Sequence, residues 1–267
     1  MRRMIYLNKF VNFQIGYDLL ALHKYGIKVA LYAPLGHTIC VGGTGSGKST
    51  ALLYWLYKMT RSKFPLDLYI ADFKASHEFC GITGRYAEFE GCYDLIKLFY
   101  QNFLTLEEDG DGTYKILLID EIAGYLMHLS LDKEGKVKAD TIRQMMSSIL
   151  MLGRSRKCFL WLAMQRFSAS IFPSASGGGD NFLVSVGMSE LTVDGRKSLF
   201  AGEHLEDEEG ILFGQGKGIV SINGQPLQAV VVPRVSKRKL LEKLQKAYFY
   251  HVLDSPEDGK DMINNDI

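Results

Sequence analysis

The stretch HTICVGGTGSGKST, residues 37–50, restricts the fold more than any other part of the chain. Thr38–Val41 is a short apolar run of the kind buried strands use. Gly42-Gly43-Thr44-Gly45-Ser46-Gly47-Lys48-Ser49 then fits G-x-x-x-x-G-K-[ST], and a helix pattern follows. Such glycines let several backbone N–H groups converge on phosphate oxygens. The helix opening at Lys48 adds the positive end of its dipole. Lys48 is placed to reach the β- and γ-phosphates, and the Ser49 hydroxyl to take a position on Mg²⁺. Gly42, Gly43, Thr44, Gly45, Ser46, Gly47, Lys48, Ser49 and Thr50 are therefore the expected nucleotide-binding residues. Kinases, switches, transport ATPases and nucleic-acid motors all use such loops, so the purpose of the nucleotide stays open at this point.

The strand–helix alternation continues along most of the chain. Strands are expected at Thr38–Val41, Leu66–Ala71, Lys115–Ile119, Phe159–Ala163 and Phe182–Val186, and helices at Lys48–Lys58, Tyr93–Leu104 and Asp140–Leu152. This pattern predicts an α/β fold with a largely parallel sheet. Ile142, Met145, Met146, Ile149 and Leu150 make one apolar helical stripe that belongs to the core. After Phe200 the glycine-punctuated GEHLEDEEGILFGQGKGIVSINGQPLQAVVV reads as antiparallel strands with a turn at Asn223-Gly224. SKRKLLEKLQKAYFYHVL reads as a basic amphipathic helix, and the polar residues 254–267 as a disordered tail. The expected division is an N-terminal extension over 1–30, an ATPase domain over 31–233, and the basic helix with its tail over 234–267.

An acidic partner for the loop stands in KILLIDE, where an apolar strand runs into Asp120 and Glu121. Asp120 is expected to hold the Mg²⁺ shell, and Glu121 to polarise the attacking water. Two carboxylates favour hydrolysis over phosphoryl transfer to a metabolite. A GTPase is disfavoured because no guanine-reading N-K-x-D follows the loop. SASGGGD (174–180) resembles an ABC-transporter signature but stands in the wrong order. Arg154, Arg156 and Arg166 flank a strand rather than forming a kinase lid. The formal net charge is +1, so any DNA contact must come from local patches. Four cysteines without metal-ligand spacing, and the absence of a signal peptide or an apolar run long enough for a membrane span, predict a cytoplasmic protein with no direct membrane insertion.

Three segments resemble the FtsK/SpoIIIE branch of the FtsK–HerA superfamily of DNA-pumping ATPases, in the versions carried by plasmids, conjugative elements and phages. They are PLGHTICVGGTGSGKST with its early His37, YIADFKASHEF with its Asp-x-Lys step, and GRSRKCFLWLAMQR with its Gly-Arg start and Gln-Arg end. The likeness extends from about residue 30 to residue 233, through the late hairpin. It implies a RecA-like P-loop NTPase core that binds ATP and Mg²⁺ and assembles as a homo-oligomer, a hexamer, around double-stranded DNA. Gln165 is then a sensor at the strand tip, and Arg154 the arginine that reaches a neighbouring subunit's site, with Arg156 and Arg196 as rivals. Lys48, Glu121, Gln165 and Arg154 form the expected catalytic set, with Ser49 and Asp120 on the metal. Candidate DNA-facing residues are Lys133, Lys136 and Lys138, in a stretch expected to be a solvated loop. The helix at Lys237–Lys246 is expected to pack on the domain through Leu240, Leu241 and Leu244. The implied role is a DNA translocase in plasmid, conjugative or phage DNA transfer. Its alternatives are a coupling platform that ties a relaxase or replication protein to DNA without pumping, and a genome-packaging ATPase.

Overall fold

A computed structural model describes residues 11–61, 64–168, 171–172 and 181–253. The first half of the chain forms β1 (Asn12–Asp18), α1 (Leu19–Tyr25), β2 (Ala30–Pro34), β3 (Thr38–Val41), α2 (Lys48–Met59), β4 (Leu66–Asp72), β5 (Tyr86–Glu88) and α3 (Gly91–Leu104). The second half adds β6 (Tyr114–Asp120), α4 (Ile122–Leu129), α5 (Lys133–Leu152), β7 (Cys158–Met164), β8 (Val184–Met188), α6 (Val193–Leu199), β9 (Lys217–Ile222), β10 (Gln228–Val231) and α7 (Lys237–Leu253). All the strands join one sheet in the order β2-β1-β10-β9-β8-β3-β7-β6-β4-β5. From β8 to β5 the strands are parallel; from β9 outward they pair antiparallel. The expected α/β class, parallel core and late antiparallel strands are thus present.

Helices cover both faces of the parallel part, so its central strands are apolar throughout, as burial on both sides requires. On one face Leu52, Trp55 and Leu56 of α2 pack with Leu240 and Leu244 of α7 against alternate residues of the sheet. On the other, Ile96 and Phe99 of α3, Tyr125 of α4, and Ile142, Met146 and Ile149 of α5 cover the remaining residues. The predicted Met-rich stripe is therefore core. Leu241 is partly buried against the first cluster beside Leu240 and Leu244, as the sequence implied.

Two expectations need correction. The charged stretch 131–140 is not a loop, because α5 begins at Lys133. Asp132 caps this helix by accepting from the Gly135 N–H at 2.8 Å, and Glu134 pairs with Lys138 one turn on at 3.0 Å. Gly135 hid the helix in the sequence, yet the site demands glycine: a Cβ there would lie 1.9 Å from the Leu129 carbonyl oxygen. The strand expected from Phe182 starts at Val184 instead. Phe182 is drawn onto Phe172, with ring centroids 5.9 Å apart. The turn at Asn223-Gly224 is as predicted, with φ of 52° and 66° and a Gln225 N–H to Ile222 carbonyl bond of 3.0 Å.

Three strands were not anticipated: β5, which pairs with β4 at the parallel edge, and two near the start of the chain. Residues 12–18 and 30–34 form β1 and β2, which extend the antiparallel edge. The Trp55 indole N–H donates to the Ile15 carbonyl at 2.8 Å and ties β1 to the helix behind the phosphate loop. Residues 1–10, 174–180 and 254–267, including the SASGGGD run and the polar tail, lie outside the described residues.

Candidate nucleotide site

Parallel strands all end on the same side, and the strand order decides what meets there. β7 lies between β3 and β6. The phosphate loop leaves β3 and the acidic pair ends β6, so the tip of β7 delivers Gln165 between them. Loops at the carboxyl ends of parallel strands are where such sheets bind ligands.

The loop itself has the backbone that only glycine adopts readily. Gly45 and Gly47 have φ of 79° and 98°. At Gly42 a Cβ would lie 2.5 Å from the Met188 carbonyl oxygen, so no side chain fits there without moving the neighbouring strand. The Lys48 ammonium donates to the Gly42 carbonyl and, at 3.3 Å, to that of Gly43, folding back over its own loop. Residues from Gly43 to Thr50 line a cleft of about 210 Å³ with Asp120, Lys74, Ser76, Glu78, Gln215 and Lys237.

The acidic side of the cleft is unusually dense. Asp72 and Asp120 stand opposite each other at the ends of β4 and β6. Asp72 is fully buried and accepts from Ser76 and the Tyr86 hydroxyl, each at 3.1 Å, through one oxygen; its other oxygen has no hydrogen-bond partner. Burial, and then the neighbouring Asp72 charge, push the Asp120 carboxyl up to about 6, with Lys74 and Lys48 opposing the rise. A divalent cation would relieve this crowding. The hard oxygen donors of Ser49 and Asp120, in a cleft that also admits phosphate oxygens, fit Mg²⁺, which prefers one or two protein ligands and keeps the rest for water and phosphate. Among the described residues no cluster of three or more ligand side chains closes on a metal unaided.

Glu121 follows with φ of 59°, a left-handed conformation rare outside glycine, and its side chain is only 9% exposed. Lys74 donates to its Oε2 at 2.5 Å, and the Gln165 amide makes a long contact to the same oxygen at 3.4 Å. The structure thus brings together Lys48, Ser49, Asp120, Glu121 and Gln165 from the predicted set.

It places Arg154 elsewhere. Arg154 precedes β7 and lies at the opposite ends of the strands, where it lines a separate cavity with His37 and Lys157. His37 is also remote from the phosphate loop. Its Nδ1 accepts from the Leu160 N–H at 3.0 Å, and burial with the nearby Arg154 charge hold its pKa down to about 3, so it is a neutral tie between β3 and β7. Among the rivals, Arg156 lies over the Phe103 ring at 4.8 Å and Arg196 pairs with Glu208. Lys133, Lys136 and Lys138 stand on the first turns of α5, with Lys138 engaged by Glu134.

Lys74, Glu78 and Lys237 had no assigned role in the sequence. Glu78 forms an ion pair with Lys237 from the start of α7, and its carboxyl is held below the usual range despite partial burial, by Lys237 and then the Ser49 hydroxyl. The Asp-x-Lys step at 72–74 was the one sequence signal available for Lys74.

No family model matches the sequence, and no curated protein matches it in sequence. Solved structures share its fold. The cytoplasmic domain of the type VII secretion ATPase EccC from Thermomonospora curvata superposes with a TM-score of 0.64 at 16% identity, over 89% of this chain and 31% of that one. EssC (ATPases 2 and 3) from Geobacillus thermodenitrificans gives 0.61 at 15% identity, over 90% and 49%. The conjugation coupling protein TcpA of pCW3, in monomer form with ATPγS, gives 0.65 at 16% identity, over 88% and 71%. The chain spans less than half the length of the first two. Two of these neighbours are named as ATPases, and all three share the mixed α/β fold with a largely parallel sheet that the sequence led us to expect. Among the described residues no helix is long and apolar enough to cross a membrane.

Proposed function

We propose that the protein is a cytoplasmic, FtsK/SpoIIIE-type ATPase that hydrolyses ATP with Mg²⁺ and moves double-stranded DNA as a ring, a homohexamer, in plasmid, conjugative or phage DNA transfer. The observation that carries the enzymatic part is the convergence at one sheet end of Lys48, Ser49, Asp120, Glu121 and Gln165, with β7 between the loop strand and the acidic strand. In this reading the Gly42–Thr50 loop and Lys48 hold the phosphates. Ser49 and Asp120 hold Mg²⁺, which supplies charge neutralisation on the β- and γ-phosphate oxygens. Glu121 orients the attacking water, and Gln165 reads the γ-phosphate beside it.

The remoteness of Arg154 from its own chain's phosphate loop supports its use in trans. In this reading Arg154 serves the site of a neighbouring subunit and not that of its own chain. Its role there would be to stabilise charge in the transition state.

A coupling platform that holds DNA and a relaxase or replication protein without pumping is the second reading. It is favoured by the likeness to TcpA, itself a conjugation coupling protein, over 88% of this chain. A genome-packaging ATPase is the same motor chemistry with a different partner. The test is ATP turnover with and without linear duplex DNA, followed by single-molecule displacement on that DNA. Translocation requires DNA-stimulated turnover and processive, ATP-dependent displacement, both lost in Glu121→Gln. Turnover with static DNA binding would leave the platform as the function. No turnover in the wild type would remove the ATPase reading.

A further inference from the structure

We propose that Lys74 is a catalytic switch: it holds the Glu121 carboxylate in the absence of a γ-phosphate and transfers to that phosphate when ATP binds, releasing Glu121 to orient water. The proposal rests on the ATPase reading above and deepens it.

The position of Lys74 follows from the register. Asp72 of β4 is paired with Asp120 of β6, so the chain two residues beyond Asp72 runs beside the residue after Asp120. Its Nζ thereby reaches Glu121 Oε2 at 2.5 Å. The same side chain also faces the nucleotide. Two clefts meet at Lys74: the phosphate cleft bounded by Gly43–Thr50 and Asp120, and a second of about 590 Å³ bounded by Glu121, Gln165, Arg166 and Met127. Among their described lining residues, only Lys74 belongs to both.

The chemistry favours exchange over a static pair. An ammonium seated on a carboxylate oxygen occupies a lone pair and the space that a water would need to bind there, so that oxygen is a poorer acceptor for water. Glu121 held in this way is protected from acting. Lys74 is 42% exposed and carries a flexible four-carbon stem, whereas Glu121 is nearly buried and fixed at a left-handed backbone position. The lysine is the member of the pair that can move. A terminal phosphate carries more charge than a carboxylate and offers more acceptor oxygens. Exchange of one anion for the other keeps the ammonium paired throughout. Gln165 remains beside Glu121 to share the water once the lysine has left.

The experiment measures the affinity of ADP and of the non-hydrolysable β,γ-methylene analogue AMPPCP, with Mg²⁺, for wild type, Lys74→Met, Lys74→Arg, Glu121→Gln and Lys74→Met/Glu121→Gln. A charge-assisted hydrogen bond confined to the γ-phosphate corresponds to roughly a tenfold or larger change in affinity. Lys74→Met should therefore bind AMPPCP about tenfold more weakly or worse and leave ADP affinity unchanged within about twofold, while Lys74→Arg keeps most of the discrimination. The unchanged ADP affinity also reports an intact fold. Glu121→Gln loosens the competing pair and should tighten AMPPCP binding, and that gain should vanish in the double variant. Equal changes for both nucleotides in Lys74→Met, or none, would overturn the switch. Wild type that binds neither nucleotide would instead overturn the nucleotide-site reading on which it rests.

Discussion

Replacing Asp120 with asparagine should stabilise the nucleotide-free protein at neutral pH while removing its Mg²⁺-dependent nucleotide binding. Asp120 is 7% exposed, and burial together with the facing Asp72 raises its pKa from 3.8 to about 6. A raised carboxylate pKa means that the folded state binds the proton more tightly than the unfolded chain, so ionisation destabilises the fold. The difference corresponds to about 3 kcal/mol at pH 7. This penalty is present in full above about pH 6 and fades as the pH falls towards 3.8. Asparagine removes the charge and with it the repulsion from the facing Asp72. Recovery of even half the penalty raises the melting temperature by roughly 3–6 °C for a chain of this size. Thermal melts of wild type and Asp120→Asn without nucleotide, at pH 7 and again near pH 4.5, test this. The variant should melt higher at pH 7 and the gap should shrink at the lower pH. A variant less stable than wild type at pH 7, or a gap independent of pH, would refute the account of Asp120 as a crowded, buried anion.

Two other perturbations address different parts of the molecule. Subunits carrying Arg154→Ala and subunits carrying Lys48→Ala should each hydrolyse ATP poorly, yet recover turnover when mixed, because an intact loop then meets an intact arginine. Normal turnover by Arg154→Ala alone would remove that residue from the site. Gly135→Ala should destabilise the fold by about 1–3 kcal/mol in denaturant titrations, as overpacking does, although alanine normally stabilises a helix interior relative to glycine by roughly 0.5–1 kcal/mol. The added methyl would meet the Leu129 carbonyl oxygen, and a stabilised variant would contradict that packing.

What could be read in advance was whatever the chain encodes locally. The glycine loop, the strand-to-acid step at Asp120-Glu121 and the strand tip at Gln165 are each contiguous, so their chemistry and their approximate place in the fold were legible. β1 was not. NFQIGYD has only a loose alternation, and its meaning comes from β10, more than 200 residues later, where Tyr17 faces Val231. Gly16 in its middle reads as a breaker, yet it sits where the register with β2 shifts and where a Cβ would lie 2.6 Å from the Val231 carbonyl oxygen. The Lys74–Glu121 and Lys237–Glu78 pairs were invisible for the same reason. Their members stand 47 and 159 residues apart, and no local pattern selects one lysine among many.

The antiparallel half of the sheet adjoins the candidate nucleotide site and is not merely an edge added to the fold. The Gly216 N–H, just before β9, donates to the Ser46 carbonyl of the phosphate loop at 2.9 Å, and the Val232 N–H donates to the Gly216 carbonyl at 2.8 Å. A Cβ at Gly47 would lie 3.0 Å from the Gly216 nitrogen, so the two segments are in close backbone contact. From the same side Gln215 and Lys237 enter the phosphate cleft. Lys237 pairs with Glu78, and the Gln245 amide one helical stretch later donates to the Cys80 carbonyl at 3.0 Å. The loop is thus held between β3 and the segment entering β9, to which the segment that leaves β10 for α7 is bonded in turn. Because Ser46 and Gly216 are joined backbone to backbone, neither can shift without breaking a hydrogen bond or carrying the other with it. Glu78, facing both Ser49 and Lys237, links the metal side of the cleft to the first turn of α7 by charge as well. The contacts that join the candidate phosphate loop and its neighbours to α7 are therefore the Ser46–Gly216 backbone bond and the Glu78–Lys237 ion pair.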